Sequence, residues 1–282
     1  LSAEPSPQLL LIDCADRPGL IHGITGLLLQ HHANIVANHE FVDEETGRFF
    51  MRTEFMGPPA SAELARGLSE VLPANATIRL GRSGIARFVV LSTREPHCLG
   101  EILLRHASGE LGASLQAVIS NHASLAQLVE RFTTPFHHVS HEGIDRSAHE
   151  QEILRILDGY RPDFLVLAKY MRVLSAGFVR RYPNRIINIH HSFLPAFTGA
   201  HPYRQAFARG VKIIGATAHF VTETLDEGPI IAQAVQPIDH SYRPAEMARA
   251  GRDVEKFVLW KALTLVFQER VFLSGNRTVV FE

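Results

Sequence analysis

The sequence predicts an α/β protein of two domains: a small βαββαβ unit, then a larger α/β domain with a mostly parallel sheet. Three observations predict it. Residues 8–80 order their patterns as strand, helix, two strands, helix and strand. A G-R-S-G run at 81–84 has linker composition. Beyond it, short apolar runs alternate with helical periodicity. The chain's 282 residues are many for one core and comfortable for two. The boundary is therefore placed in the linker, with domains at 1–82 and 83–282.

Residues 8–14 form a mostly apolar run that reads as a strand, and Ala15, Asp16, Arg17, Pro18 and Gly19 after it carry turn chemistry. The helix that follows sets Leu20, Ile24, Leu27, Leu28 and His31 on one face. Strand runs at 34–41 and 49–55 are split by the turn signal D-E-E-T-G and read as a hairpin. Ser61 caps a second amphipathic helix over 61–72, Pro73 stops it, and 76–80 closes the unit with a last strand. This is the ferredoxin-like order. In the second part, 88–91, 115–119, 164–167, 186–189 and 213–221 are the strands, with helical patterns in most of the gaps. Residues 245–272 read as one long helix and 278–281 as a terminal strand. Sheets of this kind bind ligands beyond the carboxyl ends of their strands. Asn188 and His190 fall at such an end.

Composition narrows the function. With 28 Lys+Arg against 29 Asp+Glu there is no basic field for nucleic acid and no acidic tail. Cys14 and Cys98 offer neither a disulfide framework nor a paired zinc motif, which fits a reducing cytosol. The first apolar run, 9–12, is too short for a membrane span and has no basic leader. A soluble cytoplasmic protein is expected, with small molecules or copies of itself as partners.

No G-x-G-x-x-G follows a strand and no P-loop is present, so no nucleotide cofactor is expected. Sixteen histidines raise a metal reading. Yet H-E-x-x-H is absent, and the adjacent pairs His137-His138 and His190-His191 would point to opposite faces of a strand, so no metal site is expected. The first candidate site is A-D-R-P-G-L, a tight strand-to-helix turn in which Gly19 is free to adopt unusual dihedrals. The helix start offers unpaired N–H groups to a small carboxylate; the plainer reading is a turn with no ligand. The second lies in N-I-H-H-S-F-L-P-A-F-T-G-A, 188–200, and G-A-T-A-H-F-V-T-E-T-L-D-E-G-P-I-I, 215–231. Asn188 and His190 are two apart and share one face if the strand persists. An amide donor beside an imidazole suits acyl transfer, the amide holding a developing oxyanion while the imidazole moves protons. Asp226, before Gly228 and Pro229, is placed to orient or charge that imidazole. The alternative is three unrelated loop residues. Ser192 has no G-x-S-x-G elbow around it and is read as structural.

Those motifs together resemble the folate-dependent formyltransferase fold, from about Ile85 to the C-terminus, whose members share an Asn, a His and an Asp at these positions. D-R-P-G-L resembles the signature turn of an ACT domain. An ACT domain followed by a formyltransferase-like domain resembles the formyltetrahydrofolate deformylase family, and A-K-Y-M-R-V-L (168–174), H-C-L (97–99), A-G-R-D-V-E-K (250–256) and G-N-R-T (275–278) extend the likeness over nearly the whole chain. The resemblance implies hydrolysis of 10-formyltetrahydrofolate to tetrahydrofolate and formate, which supplies formate and balances one-carbon pools for purine biosynthesis, with no cofactor. It implies Asn188 as oxyanion donor, His190 as general acid/base and Asp226 as its partner and water-positioning group. It places the pterin against Met171, Arg172, Val173 and Leu174 and the loop of Leu225, Asp226 and Gly228, with His191, Thr217 and His219 as further binding candidates. It also implies a homo-oligomer and an amino-acid effector, such as glycine or methionine, at Asp16, Arg17, Pro18, Gly19 and Leu20.

One departure separates sister activities. Glycinamide ribonucleotide formyltransferases have a Gly- and Ser-rich loop for the substrate phosphate where this chain reads S-T-R-E-P-H-C-L, 92–99. Without those glycines the backbone closes less readily around a phosphate, and Glu95 would repel one. Water is then left as the acceptor. The rival readings are formyl transfer to an amine, which needs an amine site, and a non-catalytic folate or amino-acid sensor, which has no use for the trio.

Overall fold

The computed structural model describes residues 7–81, 84–196 and 202–282, Pro202 by its backbone only. The boundary expected between Arg82 and Ser83, and the 197–200 end of the N-I-H-H segment, lie outside the described residues. By its contacts the chain forms two compact units, one of residues 1–84, 270–274 and 279–282, the other of 85–269 and 275–278. Among the described residues no helix is long and apolar enough to cross a membrane.

The smaller unit runs β1 (Gln8–Ala15), α1 (Leu20–Gln30), β2 (Asn34–Asp43), β3 (Arg48–Met56), α2 (Ala62–Val71) and β4 (Thr77–Leu80). Its sheet has the order β2-β3-β1-β4 with every pair antiparallel, the ferredoxin-like arrangement. Leu20, Ile24 and Leu28 of α1 and Leu64 and Leu68 of α2 pack on Leu10, Ile12, Phe49 and Met51. Ser61 caps α2 through the Leu64 N–H.

The larger unit runs β5 (Arg87–Ser92), α3 (His97–Ala107), β6 (Ser114–Ser120), α4 (Ala126–Glu130), β7 (Phe136–His138), α5 (Arg146–Tyr160), β8 (Phe164–Ala168), α6 (Ala176–Arg181), β9 (Ile186–His190), α7 (Pro202–Arg209), β10 (Ile213–Phe220), β11 (Ile230–Pro237) and α8 (Pro244–Phe267). Its seven-stranded sheet has the order β11-β10-β9-β8-β5-β6-β7. The five strands from β7 to β9 are parallel, whereas β10 runs antiparallel to both its neighbours. The runs F-V-V-L in β5 and L-V-L-A in β8 are apolar throughout and fully buried, as central parallel strands must be. From β5 the chain winds outward through β6 and β7, then returns to β8 on the other side. That reversal opens a crevice at the carboxyl ends of β5 and β8, and β9 ends beside it.

The structure corrects the element expectations in two places. The last long helix stops at Phe267 rather than at 272: Gln268 caps it, Glu269 takes a left-handed φ of 58°, and Val271 and Phe272 enter a strand, β12 (Val271–Ser274), which pairs with β13 (Arg277–Val280). Apolar spacing continues across the break, so periodicity alone cannot see it. The strands β7 and β11 were also not expected; both lie at sheet edges, where the apolar signal is weakest.

Candidate active site

The site is built at the carboxyl end of β9. Asn188 and His190 lie on one side of that strand, and across the ladder His219 faces Asn188 while Thr217 faces His190. Beyond β10 the chain enters the loop that carries Asp226, whose φ of 58° is one that a short polar side chain tolerates. Its Oδ1 lies 3.3 Å from His190 Nδ1 and 3.8 Å from His219 Nε2. The exposures are 8% for the His190 side chain and 11% for that of Asp226.

The loop's path is fixed by backbone. Phe220 N–H donates to the Pro229 carbonyl at 2.9 Å, and a Cβ on Gly228 would run into the Phe220 carbonyl. Gly228 is thus required for a close approach and is itself buried. Asn276 donates to the Glu227 carbonyl and Thr278 to that of Ile230, which gives G-N-R-T a structural task beside the loop. On the other side, Met171 N–H donates to Thr93 Oγ1, and Ser175 N–H and Oγ bond Glu150, so both ends of the Met171–Leu174 segment are tied down.

The hydrogen bonds assign protons. His219 Nδ1 lies 2.9 Å from the Phe220 carbonyl, which only accepts, so Nδ1 carries the hydrogen. Burial lowers the pKa of His219, so Nε2 of the neutral ring accepts the Asn188 amide N–H at 3.2 Å. This fixes the orientation of the amide. Asp226, held below the ordinary carboxylate range by hydrogen bonding to His190, is an anion at neutral pH. His190 Nε2 is buried and has no partner among the described residues.

His191 departs from expectation. It does not point away from His190: the strand ends at His190, alternation ends with it, and the two rings stack with centroids 5.2 Å apart and planes 27° apart. Burial, then the Lys169 charge, pushes its pKa down to about 4. Thr217 does not face the open site either. It is buried, donates to the Ser192 carbonyl, and accepts from Leu194 N–H and Gln233 Nε2. It holds the turn after His191, and Ser192 closes that turn by donating to the Ala196 carbonyl. Met171, Val173 and Leu225 are exposed apolar side chains, Arg172 is half-buried, and Leu174 turns inward against the core.

In the smaller unit, Asp16, Arg17, Pro18 and Gly19 are exposed and Leu20 is buried in the core. Asp16 N–H donates to the Gly47 carbonyl, Arg17 to that of Val71, and Gly19 starts α1 with φ 88° and no side-chain cap.

Gln233, Lys169, Tyr203, His97 and Glu255 had no role assigned from sequence. The last four meet behind His191. Three of them stand in H-C-L, A-K-Y-M-R-V-L and A-G-R-D-V-E-K, which was the available signal. His97, Cys98 and Glu255 form the one group among the described residues with three potential metal ligands, but Lys169 and Tyr203 already engage the Glu255 carboxylate.

An imidazole paired with a carboxylate stands, with an amide two residues before it on the same strand face, at the end of a strand in a sheet of the formyltransferase type. The formyl transferase family matches residues 86–263 and the ACT domain family residues 8–66. The chain is 55% identical to the formyltetrahydrofolate deformylase of Escherichia coli, over 97% of this chain and 98% of that one. The crystal structure of a formyltetrahydrofolate deformylase from Pseudomonas syringae pathovar tomato superposes with a TM-score of 0.94 at 38% identity, covering 100% of this chain and 96% of that one. Glycinamide ribonucleotide transformylase 1 from Symbiobacterium toebii matches at TM-score 0.68 and 31% identity, covering 72% of this chain and 97% of that one. The chain belongs to the formyltetrahydrofolate deformylase family, a family of hydrolases.

Proposed function

We propose that the chain hydrolyses 10-formyltetrahydrofolate to tetrahydrofolate and formate through Asn188, His190 and Asp226. The observation that carries the reading is the two-sided environment of His190, with Nδ1 against the Asp226 carboxylate and Nε2 buried and unpartnered among the described residues. With the proton on Nδ1, Nε2 takes a proton from water as the water oxygen bonds to the formyl carbon. The carbonyl oxygen becomes an oxyanion and accepts a hydrogen bond from the Asn188 amide N–H that His219 does not use. The C–N10 bond then breaks, His190 returns its proton to N10, and the formic acid released ionises to formate. Asp226 keeps the imidazole in this tautomer, stabilises its charged form and helps to position the water. These steps use water and protein groups alone.

The pterin sits against the segment of Met171, Arg172, Val173 and Leu174 and the loop of Leu225, Asp226 and Gly228. The exposure of Met171, Val173 and Leu225 supports this. Leu174, Gly228, His191, Thr217 and His219 act by shaping the site. The ACT unit is regulatory and self-associating, and binds an amino acid such as glycine or methionine at the exposed turn of Asp16, Arg17, Pro18 and Gly19, with Leu20 offering only backbone. Two free, buried cysteines suit a reducing cytoplasm, where the formate would feed purine synthesis.

The test is to incubate the purified protein with 10-formyltetrahydrofolate and no amine, following formate and tetrahydrofolate together. Stoichiometric release, abolished in His190→Ala, is the expected result. Tight binding without release would overturn hydrolysis in favour of transfer to an amine or of sensing. Calorimetry with glycine and methionine tests the effector: no heat and no change in rate leaves the ACT unit an assembly element.

A further inference from the structure

Glu255 lies on α8 with its side chain 1% exposed, and its partners among the described residues each come from a different element. Its Oε2 receives His97 Nε2 at 2.8 Å from the start of α3 and Lys169 Nζ at 3.2 Å from the residue after β8. Its Oε1 accepts the Tyr203 hydroxyl at 2.7 Å from α7. The Lys169 side chain is 5% exposed, and its φ of 58° lies in the region that non-glycine residues rarely occupy. Gly251 lies one turn before Glu255 on α8, and a Cβ there would collide with the Tyr203 hydroxyl. The helix surface is therefore hollowed where the tyrosine reaches the carboxylate.

Stability is a weak reason for such an arrangement. A buried ion pair is costly to desolvate, and apolar residues of similar volume commonly hold a core as well or better. What the cluster touches is more informative. The Tyr203 ring lies 6.2 Å from His191, and His191 stacks on His190. A continuous line of contacts thus runs from Glu255 through Tyr203 and His191 to His190.

We propose that Glu255, with Lys169, His97 and Tyr203, is a positioning assembly that seats the His190–His191 imidazole stack, so that His190 keeps one nitrogen on Asp226 and turns the other to the formyl group. This rests on the acid/base role given to His190 above. Among the described residues, the charged and titratable groups facing His191 are Lys169 after β8, Glu255 on α8, Tyr203 on α7, His190 on β9 and Asp226 in the loop after β10. In this surrounding His191 stays neutral, so the charge that forms during turnover is confined to the ring paired with Asp226. Burial alone would raise the Glu255 carboxyl. The His97 hydrogen bond, the Lys169 ammonium and the Tyr203 hydroxyl outweigh it and bring it down to about 2, which keeps the anchor charged.

The test uses the full chain with four substitutions: Tyr203→Phe, Glu255→Gln, Lys169→Met and, as a reference, His190→Asn. Tyr203→Phe keeps the ring and removes only the hydroxyl, so it carries the test if Glu255→Gln or Lys169→Met does not fold. Tyr203→Phe and Glu255→Gln are each expected to lower kcat by roughly tenfold to a hundredfold, the scale on which misplaced catalytic groups act, with KM nearly constant. Lys169→Met is expected to move the His191 titration, followed by NMR of labelled histidine, upward from about 4, because a cation facing the ring has been removed. An unchanged kcat in Tyr203→Phe overturns the proposal, and so does a loss confined to KM. Full turnover in His190→Asn would instead overturn the acid/base reading beneath it.

Discussion

Replacing Asp226 by asparagine keeps the shape of the loop and removes one charge. In the structure that charge sits 3.3 Å from His190 Nδ1, with both side chains largely shielded from water. At an effective dielectric of about 20, a carboxylate and an imidazolium at that distance attract by ~5 kcal/mol. In the proposed mechanism the attraction is absent while His190 is neutral and present once it has taken a proton from water, so it acts mainly on the barrier. Asparagine retains part of it as a hydrogen bond. Losing half of it raises the barrier by ~2.5 kcal/mol, or close to a hundredfold in rate, and losing all of it approaches ~10⁴. Asp226→Asn should therefore lower kcat by about 10² to 10⁴ with a small change in KM, measured as formate release under saturating 10-formyltetrahydrofolate. A kcat within about threefold of wild type would refute the reasoning, since an electrostatic contribution of this size cannot vanish in so buried a pair.

Three further outcomes are expected. Asn188→Ala should lose about 10² to 10³ in kcat as the proposed oxyanion donor is removed, and His219→Ala should lose less, because it frees the amide without deleting it; steady-state kinetics on both variants checks the order. Gly228→Ala should cost about 1 to 3 kcal/mol, read from the urea midpoint, because its new Cβ meets the Phe220 carbonyl, and turnover should fall with it as Asp226 is displaced. Glu255 has a folded pKa brought from 4.5 down to about 2, so its contribution is fully present above pH 4.5 and is lost as pH falls toward 2. That amounts to ~3 kcal/mol, and acid unfolding of Glu255→Gln should be correspondingly flatter over this window than that of the wild type.

What the sequence determined by itself was local or periodic. The order of elements in the smaller unit followed from apolar alternation, helical spacing and the turns at 15–19 and 43–47. The spacing of two between Asn188 and His190 placed both on one face, because strand geometry repeats at two. That rule failed one residue later. Where β9 ends is set by its neighbours and not by its own residues, so His191 stacks on His190 instead of turning away. The helix break at Phe267 was hidden for the same reason, since Val271 and Phe272 fit a helical stripe or a strand equally well. Only tertiary structure could bring Asp226 to His190, through an antiparallel β10 in an otherwise parallel run of strands. It alone gathered His97, Lys169 and Tyr203 onto the Glu255 carboxylate, across as many as 158 positions of sequence. A motif records that such residues are present. Their charges acquire meaning only when burial removes water and the fold supplies their partners.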